Sequence, residues 1–204
     1  MAHDGTTQNC SLRRFWYSSG MSEHEPQPNI PTGLTFVSEV SWDEVMQSWK
    51  NDEDTDTFRR EYAEQGYDTW ESWRSSIIDP LHLDRLTWAL YEVDDPLASI
   101  PGFRGGPFKP WEDMYYGGKK APTFAEIVDT EGTDVNTRDK FAEINASNGP
   151  TKLIGLLKGA SVYIIEGMHR STALALAAAR GQSVSRPVYL LLARTDLAEF
   201  ETIQ

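Results

Sequence analysis

Residues 161–181 read SVYIIEGMHRSTALALAAARG. Val162, Tyr163, Ile164 and Ile165 form an apolar, β-branched run, which predicts a strand. Glu166-Gly167 stops it. A polar turn of Met168, His169, Arg170, Ser171 and Thr172 follows, and an alanine-rich helix continues to Gly181, a natural residue just past a helix end. A strand, a polar turn and a helix N-terminus in succession make a phosphate site. Free backbone N–H groups and the positive end of the helix dipole face the turn, and Arg170 adds a fixed donor fork.

Working outward, residues 152–157 are a second apolar strand, and Lys158-Gly159 fits a tight hairpin between the two. A final strand at 188–192 follows Pro187, and residues 86–93 read as a further strand that Asp94-Asp95-Pro96 breaks. Between them, the Gly- and Pro-rich segment through Gly118 predicts a long loop with a helical turn or two near Trp111. Thr123 with Glu126 at N3 caps a short helix, and residues 136–146 form another with Phe141 and Ile144 inward.

Toward the N-terminus, residues 35–40 are a strand candidate. Ser41 and Glu44 make a capping box for a helix whose apolar stripe is Trp42, Val45, Met46 and Trp49. A second helix spans about 55–65 with Phe58 and Tyr62 inward and Gly66 as its stop. Asp68 caps a third, in which Trp70, Trp73 and Ile77 face one way and which Pro80 ends. Residues 1–31 are polar and proline-bearing, a tail in which Met21 is an alternative start and Phe15, Trp16 and Tyr17 are a docking candidate.

The formal charge of −12 places no basic stripe on the chain. Arg13-Arg14, Arg59-Arg60 and Lys119-Lys120 are isolated pairs, which argues against a nucleic-acid partner. Cys10 is the only cysteine, so the fold needs no disulfide. No apolar run reaches membrane-spanning length, and the N-terminus has no signal-peptide core. The expected setting is soluble and cytoplasmic. His3, His24 and His82 lack zinc-type spacing. Neither Gly105-Gly106 nor Gly117-Gly118-Lys119-Lys120 meets the Walker pattern.

The hairpin, the acid-Gly-x-His-Arg turn at Glu166-Gly167-Met168-His169-Arg170, the alanine-rich helix and the short strand after it resemble the ParB/sulfiredoxin-like superfamily. The corresponding turn is Gly-Glu-Arg-Arg in ParB partition proteins, Gly-Cys-His-Arg in sulfiredoxins and close to Asp-Gly-His-x-Arg in free-serine kinases. The resemblance covers about 149–193 and extends more weakly to Leu97-Ala98-Ser99-Ile100 and the loop from Pro101 to Arg104; residues 32–83 lie outside it. It implies an α/β (α+β) domain with a small mixed sheet over 86–204, carrying a Trp-rich helical extension at 32–85, and nucleotide phosphates at the turn. Met168 stands where sulfiredoxins have their catalytic cysteine, so that chemistry does not transfer. The partition proteins' basic helix-turn-helix has no counterpart. Glu166 matches the kinases' turn aspartate, implicated in metal and phosphate handling. Their separate substrate-activating carboxylate has Glu92, Asp94 and Asp95 as candidates.

Each side chain of the turn has more than one use. Arg170 binds an anion or pairs with Glu166. Glu166 holds Mg²⁺ or orients Arg170, and His169 donates to phosphate, transfers a proton or is structural. Ser171 and Thr172 bind phosphate or cap the helix, Gly167 allows close approach, and Met168 touches a base or plugs the core. Arg104 beside Gly105-Gly106 is a candidate second anion site, and the aromatic loop over 103–111 would shape the substrate pocket. The leading expectation is a nucleotide- and Mg²⁺-dependent phosphotransferase using ATP or ADP on a small molecule. A nucleotide-gated binding module of ParB type with little turnover, a DNA-associated ParB-like nuclease or factor, and a scaffold that has lost its site are the alternatives.

Overall fold

The computed structural model describes residues 30–204 apart from 54 and 148. The tail over 1–29, with Cys10, Met21, His3, His24 and the Phe15–Tyr17 triplet, lies outside the described residues. In chain order the elements are β1 (Leu34–Val40), α1 (Trp42–Glu53), α2 (Asp56–Glu64), α3 (Trp70–Leu81), β2 (Trp88–Val93), α4 (Pro96–Ser99), β3 (Arg104–Gly105), α5 (Lys109–Met114), α6 (Phe124–Val128), α7 (Asp139–Ala146), β4 (Thr151–Lys158), β5 (Ser161–Glu166), α8 (Met168–Ala179) and β6 (Val188–Arg194).

The strands form one mixed sheet in the order β1-β2-β6-β4-β5-β3, an α+β arrangement. β4 and β6 run parallel at its centre, β5 pairs antiparallel with β4, and β2 pairs antiparallel with β6. β1 adds an antiparallel edge to β2, so the N-terminal segment supplies a strand as well as helices. Lys158 pairs with Ser161, which makes Gly159 and Ala160 the hairpin turn, one residue later than the sequence suggests. Gly159 takes the positive φ of 61° that such a turn uses.

The alternation along each strand separates two cores. Ala89, Tyr91, Leu153, Val162, Ile164, Leu190 and Leu192 face α8, α6 and α7. Trp88, Ile154, Leu156, Ile165, Leu191 and Ala193 face the other way, against Val45, Trp49, Trp70, Ile77 and Leu81 of α1 and α3. This explains why the central strands read as nearly continuous apolar runs: both faces are covered. The Trp-rich helices are therefore the second helical layer of a sheet buried on both sides.

Both ends of α3 differ from expectation, and α7 starts at Asp139, three residues later than the sequence suggests. α3 is capped by Thr69, whose box partner is Ser72, because that hydroxyl and the Thr69 backbone satisfy each other; Asp68 precedes the cap. Pro80 lies inside α3, which ends one residue later with His82 at φ 53°. Pro80 removes the N–H that would bond the Ser76 carbonyl, and Ser76 is exposed, so water can take that place. The Thr123–Glu126 capping box forms as expected on α6.

Candidate functional site

β5 delivers Glu166 as its last residue, and Gly167, at φ 92°, turns the chain directly into α8. A Cβ on Gly167 would stand 2.5 Å from Leu153 Cδ2 and 3.4 Å from Arg170 Nε. Only glycine permits both the dihedral and the close approach. No side chain caps α8, whose first turn carries His169 and Arg170.

Arg170 is held from two sides. Its Nη2 donates to Glu166, and its Nη1 donates to Asp52 Oδ2 at 2.6 Å. Asp52 belongs to the last turn of α1, so this ion pair ties the N-terminal helical layer to the turn. Beside it, Glu53 Oε2 accepts from Arg74 Nε at 2.6 Å and from Trp70 Nε1 at 3.1 Å. The Arg74 guanidinium lies 3.5 Å from the centre of the Trp73 ring, a cation–π stack that fixes the second cation.

Asp52, Glu53, Trp73, Arg74, Glu166 and Arg170 line a cleft of about 810 Å³ between the helical layer, the β5–α8 turn and the α5 loop. Trp49, Phe58, Tyr67, Trp73, Phe108 and Trp111 give it aromatic walls. Glu166, Gly167, Met168, His169 and Arg170 form one side. Five carboxylates, Asp52, Glu53, Glu61, Glu166 and Glu201, outnumber the cations Arg74 and Arg170 in the lining.

Burial raises the Glu166 carboxyl to about 7. Arg170 opposes that shift, while Glu53 and Asp52 reinforce it. His169 is pushed the other way, down to about 4, by burial and by Lys140, Arg138 and Arg170. Its ring lies 4.9 Å from Trp111 and 6.1 Å from Phe141, an apolar sandwich that favours neutral imidazole. For Arg170, burial works against the charge but Glu166 and Asp52 more than offset it, and the net shift is upward.

The remaining sequence candidates separate. Met168 is in the core and also on the cleft, and its sulfur accepts from the Gly106 N–H at 3.5 Å. Ser171 and Thr172 are fully buried and do not line the cleft; the Thr172 hydroxyl donates to the Met168 carbonyl at 2.9 Å. Arg104 is also off the cleft. It sits on β3 and donates from Nη1 to the Ala121 carbonyl at 3.0 Å. Of the aromatic loop, Phe108 and Trp111 reach the cleft, whereas Phe103 joins the core. Asp94 accepts from the Thr35 hydroxyl at 2.7 Å, Asp95 caps α4, and neither these nor Glu92 lines the cleft. Lys119 and Lys120 pair with Glu126 and Glu199.

The sequence reading missed Asp52, Glu53 and Arg74. A signal was present: two carboxylates end α1, where the helix dipole disfavours anions, so a compensating cation was needed.

No protein-family model, curated protein or solved structure matches this chain. Among the described residues, no helix is long and apolar enough to cross a membrane.

The turn implies two groups, Mg²⁺ and a nucleotide. For Mg²⁺ the residues offer one carboxylate at the turn, Glu166, which accepts from Arg170; nucleotide sites hold this ion through one or two carboxylates together with the phosphates. For a nucleotide the residues fit. The cleft has the volume of a small-ligand site, aromatic walls for a base, and a guanidinium at an uncapped helix N-terminus for a phosphate.

Proposed function

We propose that the cleft binds a nucleotide and that the protein transfers the nucleotide's terminal phosphoryl group to a small hydroxyl compound. The observation that carries this reading is the placement of Arg170 and the open N-terminus of α8 on a cleft of about 810 Å³ with aromatic walls. Arg170 and the first N–H groups of α8 hold phosphate oxygens and neutralise charge as it develops on the transferred group. Trp49, Phe58, Tyr67 and Trp73 enclose the rest of the ligand and exclude water. Glu166, raised to about 7, exchanges a proton at neutral pH, which is what removing the acceptor hydroxyl's proton requires. Neutral His169 donates one ring N–H to a phosphate or leaving oxygen. The nucleotide supplies the phosphoryl group; its terminal P–O bond breaks, the acceptor oxygen forms the new one, and the acceptor's proton passes to Glu166.

The Asp52–Arg170 ion pair favours a second reading, a nucleotide-gated binding module with little turnover, because it links the phosphate turn to a separate helical layer.

Thermal unfolding with ATP, ADP, CTP and GTP, each with and without Mg²⁺, tests the binding step. Ligand at a hundredfold excess over its Kd stabilises by about 2.7 kcal/mol. A shift with one nucleotide that disappears in Arg170→Gln supports the site. No shift with any of the four removes both readings. Phosphoryl transfer to a panel of hydroxyl compounds then separates enzyme from module.

A further inference from the structure

The cleft presents a guanidinium that is already occupied. Both terminal nitrogens of Arg170 already donate to carboxylates, so a phosphate that engages the two together meets an occupied edge. One partner must yield. The Glu166 side chain is 12% exposed, and Glu166 belongs to a sheet strand; the Asp52 side chain is 37% exposed and belongs to a helix end. Asp52 also sits where the α1 dipole disfavours a negative charge, and it regains hydration on leaving, so its departure costs less. The closed arrangement carries a second burden one turn earlier. Trp49 is 1% exposed and its indole N–H has no acceptor among the described residues. A buried unpaired donor is costly.

We propose that Asp52 is an internal competitor for the anion subsite: its carboxylate occupies the place on Arg170 that a ligand phosphate takes, so binding displaces Asp52 and loosens the C-terminal turn of α1. This rests on the phosphate-binding reading above. It makes Asp52 a specificity-determining residue, because only a ligand group with more negative charge than a single carboxylate competes well for Arg170. Asp52 is a placeholder that leaves when the ligand arrives.

The test is calorimetric titration of the wild type and Asp52→Asn with inorganic phosphate and with ADP, alongside hydrogen exchange of the amides of residues 49–53. Asp52→Asn is expected to bind both probes about tenfold more tightly, because the competing charge is gone. Saturating ADP is expected to speed exchange in the last turn of the wild-type α1. Equal affinities in wild type and variant overturn the competitor role and leave the phosphate site standing. Absence of binding to either protein overturns both, since Asp52→Asn leaves Arg170 open. Should the variant fail to fold, unchanged exchange in wild-type α1 at saturating ADP is enough to overturn the proposal.

Discussion

Glu166 accepts a charge-assisted hydrogen bond from Arg170, four residues further on, across the one glycine that turns β5 into α8. The pair is partly withdrawn from water and is completed by Asp52 from another layer. Removing one member leaves the other's charge uncompensated, which costs more than the pair contributes. Arg170→Ala is expected to lose about 2–4 kcal/mol at pH 8. The loss shrinks near pH 5, where Glu166, raised to about 7, is already protonated. Glu166→Gln is milder, and the double variant loses less than the sum of the singles. Urea unfolding of the four proteins checks this; strict additivity would mean that the two residues do not act as a pair.

Gly167 and Gly159 both have positive φ, at 92° and 61°, yet a Cβ meets Leu153 at 2.5 Å in the first case and nothing within 4 Å in the second. Gly159→Ala therefore carries only the left-handed dihedral penalty, about 1 kcal/mol. Gly167→Ala adds a clash with a buried leucine and pushes against Arg170, for a total of about 3 kcal/mol. Denaturant midpoints rank the two, and equal losses would show that the strand-to-helix turn absorbs a side chain.

The pH dependence has two opposed parts. Glu166 is raised from 4.5 to about 7 by burial, so the folded state binds its proton more readily than the unfolded chain; stability from this group falls as pH rises from about 4.5 to about 7. His169 is lowered from 6.5 to about 4 by burial and nearby cations, so the unfolded chain binds its proton more readily; stability from this group rises between about 4 and about 6.5. The wild type is expected to show a shallow profile across pH 4.5–6.5, where the two offset each other. Glu166→Gln removes the falling part and should steepen the rise. His169→Gln removes the rising part and should expose the fall. Denaturation midpoints at half-unit pH steps measure both slopes, and a Glu166→Gln profile parallel to wild type would place that titration elsewhere.

The strand, turn and helix at residues 161–181 were legible because the whole signal is local: apolar residues, a glycine, then alanines. The Thr123 capping box was legible for the same reason. At Asp68-Thr69 both residues are good caps, each with a partner three residues on, Glu71 or Ser72, and the folded chain forms the Thr69–Ser72 box. The pairing of β1 with β2 and the contact of Asp52 with Arg170, 118 residues apart, depend on how the layers stack; no local period encodes them. Ser171 and Thr172 went astray in the opposite direction. Their types and positions suit a phosphate, but the helix rotation set by Gly167 turns them into the core.

That stacking bears on where the chain can be cut. A boundary at 85/86, where the sequence reading divides the chain, follows the Pro80 region and the end of the Trp-rich helices. In the folded chain, α1 and α3 share one core with one face of the sheet: Trp88, Ile154, Leu156, Ile165, Leu191 and Ala193 cluster with them, alongside Phe200 and Ile203. β1 also closes the β2 edge. A fragment of residues 86–204 therefore exposes an apolar face together with a bare strand edge, and it loses Asp52 from Arg170. Such a surface exceeds what a soluble monomer tolerates. The fragment is expected to aggregate, or to bind a hydrophobic dye and unfold without a cooperative transition, whereas residues 30–204 unfold in one step. A fragment that stays monomeric and shows a sharp urea transition would make the helical layer an appendage, and the second core would then be an interface between two folding units.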